Sequence, residues 1–146
     1  MEIRLARADD AVKLIELYSV CGDYELQAQD VEDWADNIEI FAEDDNYNIY
    51  VAEVDGEFAA SVTLVIVPNL THSMRPYAFI ENVVTFPRFQ GQYIGTELLN
   101  HATAEAERAG CYKLTITTGS KRPSTLRFYK NAGFTDGDKT AFTKRF

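Results

Sequence analysis

The chain has 146 residues, 46% hydrophobic and 25% charged, the size and balance of one ordinary globular domain rather than a disordered segment. Its net charge of −9 argues against a nucleic-acid surface, which needs clustered lysine and arginine. No apolar run approaches the roughly 18 residues of a membrane span, and Glu2, Arg4, Arg7, Asp9 and Asp10 interrupt any signal-peptide core.

In chain order, Ile3 and Leu5 alternate with polar neighbours and predict a short strand. Asp9 or Asp10 can cap a helix carrying Val12, Leu14, Ile15, Leu17 and Tyr18. A loop through Gly22 and Asp23 leads to a second helix capped by Asp30, with Val31, Trp34, Ile38 and Phe41 on its apolar face. Strands over Asn48–Val54 and Glu57–Val67 follow, joined by the tight-turn pair Asp55-Gly56. Pro68 ends the second, and Asn69–Pro76 is a polar loop. Tyr77–Thr85 reads as a strand that enters a glycine-bearing turn, and Ile94, Leu98, Ala102 and Ala106 then repeat at helical spacing up to the stop at Gly110. A strand over Lys113–Thr118, a helix from Pro123 to Gly133 and a final strand containing Phe142 complete the pattern. The whole span 1–146 is one α/β domain without repeat or linker.

The charge is unevenly placed. Residues 1–74 hold 17 acidic and 3 basic side chains, whereas residues 75–146 hold 6 acidic and 11 basic ones. An acidic half favours a cationic partner or simply keeps the protein soluble. Cys21 and Cys111 form neither a CxxC nor a disulfide framework, as expected of two reduced thiols in a cytoplasmic protein. His72 and His101 lack metal-ligand spacing, so no metal site is expected.

The most informative segment runs from Ile80 to Leu99. A strand, a glycine turn and a helix start in sequence aim free backbone N–H groups and a helix dipole at one point, an anion site made of backbone. The segment Gln90-Gly91-Gln92-Tyr93-Ile94-Gly95 resembles motif A of the GNAT superfamily of N-acetyltransferases, Gln/Arg-x-x-Gly-x-Gly/Ala, with Tyr93 at the middle glycine. A second block, Phe128-Tyr129-Lys130-Asn131-Ala132-Gly133-Phe134, looks like the family's late Phe-Tyr-x-x-x-Gly-Phe helix end. The order of elements matches too. The resemblance implies a GNAT fold: a mixed central sheet with a splayed strand pair and flanking helices.

It also implies acetyl-CoA as co-substrate. Pantetheine would pair with the open backbone edge of Val83, Val84 and Thr85, and the N–H groups of Gln90, Gly91, Gln92, Tyr93, Ile94, Gly95 and Thr96 would hold the pyrophosphate. Because backbone does this work, Tyr93 is compatible with binding if its ring points away from the phosphates. Arg122, and less so Lys121 or Arg75, would meet the phosphates. Tyr129 matches the tyrosine that commonly protonates the departing thiolate, and a phenol with pKa of about 10 suits that task.

Glu81 stands as base or as the group that binds a cationic acceptor. Regular alternation would put Glu81, Val83 and Thr85 on one face of the strand. His72 or water is the alternative base. By this resemblance the chain is an acyltransferase of class EC 2.3.1.-, acting on a primary amine. The other reading is an acyl-CoA-binding sensor or regulatory module with little turnover. Many family members form dimers through the C-terminal part of the sheet, so a homodimer is among the expected states.

Overall fold

The computed structural model describes residues 1–21 and 31–146. The expected loop through Gly22 and Asp23 and the Asp30 cap lie outside the described residues. Five strands, β1 (Glu2–Leu5), β2 (Tyr47–Val54), β3 (Glu57–Val67), β4 (Tyr77–Thr85) and β5 (Leu114–Ile116), form one sheet in the order β1-β2-β3-β4-β5. All neighbours are antiparallel except β4 and β5, which run parallel and therefore need a crossover helix between them. The helices are α1 (Ala11–Cys21), α2 (Val31–Ala42), α3 (Ile94–Arg108) and α4 (Pro123–Asn131).

Helices cover both faces, which explains why β3 is buried almost throughout. On one face, Ile94, Leu98, Leu99, Ala102 and Ala106 of α3 pack on Tyr50, Val62, Leu64, Ala78 and Ile80. On the other, Ala11, Leu14 and Leu17 of α1 and Ile38 of α2 pack on Val51, Phe58 and Phe86. The helical spacing seen in the sequence is thus the core stripe of α3.

Local chemistry sets the ends. Asp55 and Gly56 both take positive φ in the β2–β3 hairpin, the geometry such a two-residue turn demands. Ahead of α1, Ala8–Asp10 forms a single tight turn whose Asp10 carboxylate accepts the Arg7 N–H at 2.7 Å. The same carboxylate pairs with Arg4, whose guanidinium also reaches Glu53, tying β1, β2 and the α1 entrance together. Both α3 and α4 stop in Schellman geometry, with Gly110 and Gly133 at positive φ and the next residue's N–H returned to Ala106 or Tyr129.

Four expectations need correction. β5 is only Leu114–Ile116, because pairing lasts only as long as β4 stays alongside. Helix α4 ends at Asn131, two residues short of Gly133, whose positive φ belongs to the stop rather than to the helix. No strand forms around Phe142: residues 140–146 take no regular structure, and Phe142 is 93% exposed. A strand needs a neighbour to satisfy its backbone, and none pairs with this segment among the described residues. The fourth concerns β4. The register passes from Thr63↔Glu81 to Ser61↔Val84, so β4 carries one extra residue, and Asn82 sits at φ 52°. This is a β-bulge, and it breaks the expected alternation. Val83 packs with Ile80 toward α3, Val84 packs toward α1, and Glu81 is left on the face opposite Val83.

The Asn69–Pro76 loop contains a further departure. His72, Ser73 and Met74 take consecutive left-handed conformations, with φ of 54°, 58° and 61°. Side chains disfavour that region, so composition gave no signal for it.

Candidate active site

Parallel pairing joins β4 to β5 only at Ala78↔Leu114, Phe79↔Thr115 and Ile80↔Ile116. Among the described residues, no strand lies beside the β5-side edge of β4 from Glu81 onward, and the sheet opens into a cleft. The Phe86 N–H donates to Ala59 of β3 at 2.9 Å. In a trans peptide the carbonyl points the opposite way, so the Thr85 C=O faces the cleft. There it accepts the Gln90 Nε2 amide at 3.2 Å and the Cys21 thiol at 3.3 Å. Side chains rather than a strand hold this carbonyl, and an extended polar chain entering the cleft would take their place on it.

The cleft leads into a cavity of about 1030 Å³ lined from three directions. β4 contributes Val83 and Thr85, the turn and α3 contribute Gln90, Gly91, Tyr93, Ile94, Gly95 and Thr96, and α4 contributes Arg122 and Tyr129. Ten of the expected residues therefore meet in one place. Val84, Gln92 and Glu81 are not in that lining: Val84 packs into the α1 side, and Glu81 lies across the bulge beside Thr63.

The floor of the cavity at the α3 end is backbone. The first intrahelical bond runs from the Glu97 N–H to the Tyr93 carbonyl, which leaves the N–H groups of Ile94, Gly95 and Thr96 without helical partners. The Gln90 N–H differs from expectation, since it is committed to the Pro87 carbonyl at 3.2 Å. Gly95 packs closely: a Cβ there would stand 3.3 Å from Thr85 Oγ1, which would have to give by a few tenths of an ångström, and in ordinary contact, 3.7 Å, with the Phe128 ring. Tyr93 caps the helix at φ 63°, a conformation natural to glycine. The tyrosine thus takes the backbone conformation of a glycine, and the residue is 79% exposed.

Helix α4 presents one stripe to the cavity. Arg122, Thr125 and Tyr129 recur at helical spacing, with Ser124, Arg127, Phe128 and Asn131 beside them. The sequence reading missed Thr125, which the four-residue spacing from Tyr129 could have found, and Ser124, Arg127, Phe128 and Asn131, which fall on an adjoining row of the same helix. Tyr129 is half-buried, with Phe128 at 5.0 Å and Phe134 at 6.4 Å between ring centres. Phe134 is held there by the Gly133 stop. Burial pushes the Tyr129 phenol above its ordinary value, so it stays protonated at neutral pH.

On the other face, Glu81 is exposed and pairs across the strands with Thr63. Burial is the main reason the Tyr47 phenol is raised, and the nearby Glu81 charge adds to it. Beneath them Ser61 and Thr63 are buried polar residues, and Ser61 Oγ lies 3.4 Å from the Tyr18 hydroxyl. The open edge of β4 connects this polar face with the cavity.

The remaining candidates lie elsewhere. His72 stacks on Tyr112 at 3.8 Å and 9°, beside the first residues of β4 and away from the cleft. Arg75 is occupied by the carbonyls of Gly110 and Cys111, at 3.1 and 3.0 Å. Lys121 is exposed and does not line the cavity. No helix among the described residues is long and apolar enough to cross a membrane.

Comparison with known proteins bears directly on this arrangement. A solved structure from Agrobacterium tumefaciens str. C58, provisionally named an acetyltransferase, superposes with a TM-score of 0.88 at 38% identity, covering 100% of both chains. A glucosamine 6-phosphate N-acetyltransferase from Trypanosoma brucei brucei is 29% identical over 59% of this chain and 56% of its own length. An aminoalkylphosphonate N-acetyltransferase from Salmonella typhimurium is 32% identical over 62% of this chain and 58% of its own. The chain thus spans a little over half the length of these two curated relatives. The model of the Acetyltransferase (GNAT) family matches residues 11–134, from the first residue of α1 through the Gly133-Phe134 stop, and the chain belongs to that family.

Proposed function

We propose that this chain transfers an acetyl group from acetyl-CoA to the primary amine of a cationic acceptor. The observation that carries the reading is the opening of β4 from β5 directly beside the unpaired N–H groups of Ile94, Gly95 and Thr96. One wall suits an extended amide-bearing arm and the other a pyrophosphate. The cavity's size fits a long, extended ligand. Arg122 and Arg127 supply cationic side chains at the same mouth.

In this reading the β4 edge at Val83, Val84 and Thr85 holds the pantetheine arm, and Gly91, Gln92, Tyr93, Ile94, Gly95 and Thr96 hold the pyrophosphate. Gln90 acts through its side-chain amide rather than its N–H. The acceptor amine approaches from the Glu81 face. A new C–N bond forms as the C–S bond breaks. Glu81, directly or through a water, takes one ammonium proton before the attack, the Tyr129 hydroxyl gives its proton to the leaving sulfur, and the second proton lost by the nitrogen restores the Tyr129 phenol. The raised phenol keeps that proton available throughout the neutral range.

The acidic character of residues 1–74 supports a cationic acceptor. The two curated relatives are named for an amine carried beside a phosphate or phosphonate. That anionic group would meet an acidic surface here, so an amine without a phosphate, cationic overall, suits this chain better. A panel pairing each phosphorylated amine with its unphosphorylated counterpart, read by release of free thiol, tests the assignment. Preference for the phosphorylated members would refute the cationic part. Two free thiols, Cys21 and Cys111, agree with a cytoplasmic setting.

A further inference from the structure

Tyr93 stands out once the cavity is described. It holds a left-handed backbone, φ 63° and ψ 4°, at the one helix-capping position where glycine would be free of that cost. Its ring buries little: 79% of the residue is exposed, and among the described residues it stacks on no other ring and its hydroxyl makes no hydrogen bond. Neither helix capping nor core packing explains it, because the side chain makes no capping bond. Yet Tyr93 lines the mouth of the cavity, beside Gln90 and Gly91 and across from Arg122. Strain of this kind persists where a ligand makes use of it.

The chemistry of the ligand says which part would meet the ring. With the pyrophosphate on the α3 cradle and the pantetheine arm running inward along β4, the adenosine end must leave the cradle toward solvent. Tyr93 is the exposed aromatic at that exit. We propose that the Tyr93 ring is a stacking platform for the adenine of coenzyme A, so that this chain reads the nucleobase with a side chain that the glycine form of the motif lacks. The inference rests on the acetyl-CoA reading above and concerns binding only. Phosphates are held by backbone and cations, the base by a π face, and the two contributions separate by ligand.

The test is isothermal titration of wild type, Tyr93→Phe and Tyr93→Asn with coenzyme A and with 4′-phosphopantetheine, which lacks the adenosine with its 3′- and 5′-phosphates and keeps one phosphate for the α3 cradle. Asparagine tolerates the left-handed backbone, so the cradle survives while the ring is removed. Coenzyme A affinity should fall roughly 5- to 150-fold in Tyr93→Asn, the equivalent of about 1–3 kcal/mol. It should stay within about two-fold in Tyr93→Phe, and 4′-phosphopantetheine should bind all three alike. An equal loss for both ligands would mean that Tyr93 acts through the cradle backbone, and no loss for either would mean that the ring meets nothing; each overturns the proposal. Failure of wild type to bind coenzyme A at all would instead overturn the reading on which it rests.

Discussion

Gly95→Asp separates the folding role of the α3 start from its role in binding. An acidic side chain in the first turn of a helix stabilises it by about 0.3–1 kcal/mol, and replacing a helical glycine adds about 0.5 kcal/mol. Against this stands the contact of the new Cβ with Thr85 Oγ1 at 3.3 Å, which the hydroxyl must yield by a few tenths of an ångström. These effects nearly cancel, so the melting temperature should stay within about 4 °C of wild type. Binding behaves differently. A carboxylate ~5 Å from a doubly charged pyrophosphate is repelled by about 2–6 kcal/mol, depending on the effective dielectric. Acetyl-CoA affinity should therefore drop at least about 30-fold by titration calorimetry. Unchanged affinity would show that the phosphates do not sit on the α3 cradle. A melting temperature lowered by ten degrees or more would show that Gly95 serves packing first.

Three other outcomes follow from named contacts. Tyr129→Phe should lower kcat by roughly 10- to 1,000-fold with acetyl-CoA affinity almost unchanged, as stopped-time thiol release and titration would show; an unaltered kcat with chemistry rate-limiting would make Tyr129 a packing residue. Glu81→Gln should lower kcat at neutral pH and recover in part at alkaline pH if Glu81 takes the proton, whereas a raised KM with kcat intact would make it a docking group for the ammonium. For Asp10, burial alone would raise the carboxyl pKa, but bonds from Arg4 and the Arg7 N–H outweigh it and hold the group below its ordinary value. Its contribution to stability is accordingly complete above the usual carboxylate range and lost as pH falls through the lowered value. Asp10→Asn should cost about 2–4 kcal/mol in urea unfolding at pH 7, and the gap to wild type should narrow with acidification; a gap constant from pH 7 to pH 2 would contradict the pairing.

What the sequence made legible was what local chemistry decides. Asp55-Gly56 specifies its turn without help from the rest of the chain. Ile94, Leu98, Ala102 and Ala106 specify a face by spacing alone, and all four are buried. Gly133 marked the end of α4 to within two residues, and its positive φ, the stop itself, sets Phe134 against Tyr129. The misread features depend on partners distant in sequence. The bulge at Asn82 exists because Val62 of β3 is faced by two residues of β4, and that single insertion moves Glu81 to the opposite face. The strand expected around Phe142 did not form, because nothing local to the segment supplies a neighbouring strand. The Gln90 N–H was taken by Pro87 through a turn whose closure no residue type announces. Tyr93 was conspicuous as a departure from a glycine motif. Only the structure shows that its backbone still follows the glycine conformation.

Acetyl-CoA turnover by the purified chain, followed as free thiol with and without a panel of primary amines, tests the central claim most directly. Saturable binding of acetyl-CoA with thiol release that rises when a cationic amine is added, and mass spectrometry of the amine showing one acetyl group gained, is the predicted result. Binding without amine-dependent release would make the chain an acyl-CoA sensor, and no binding at millimolar acetyl-CoA would contradict the account at its base.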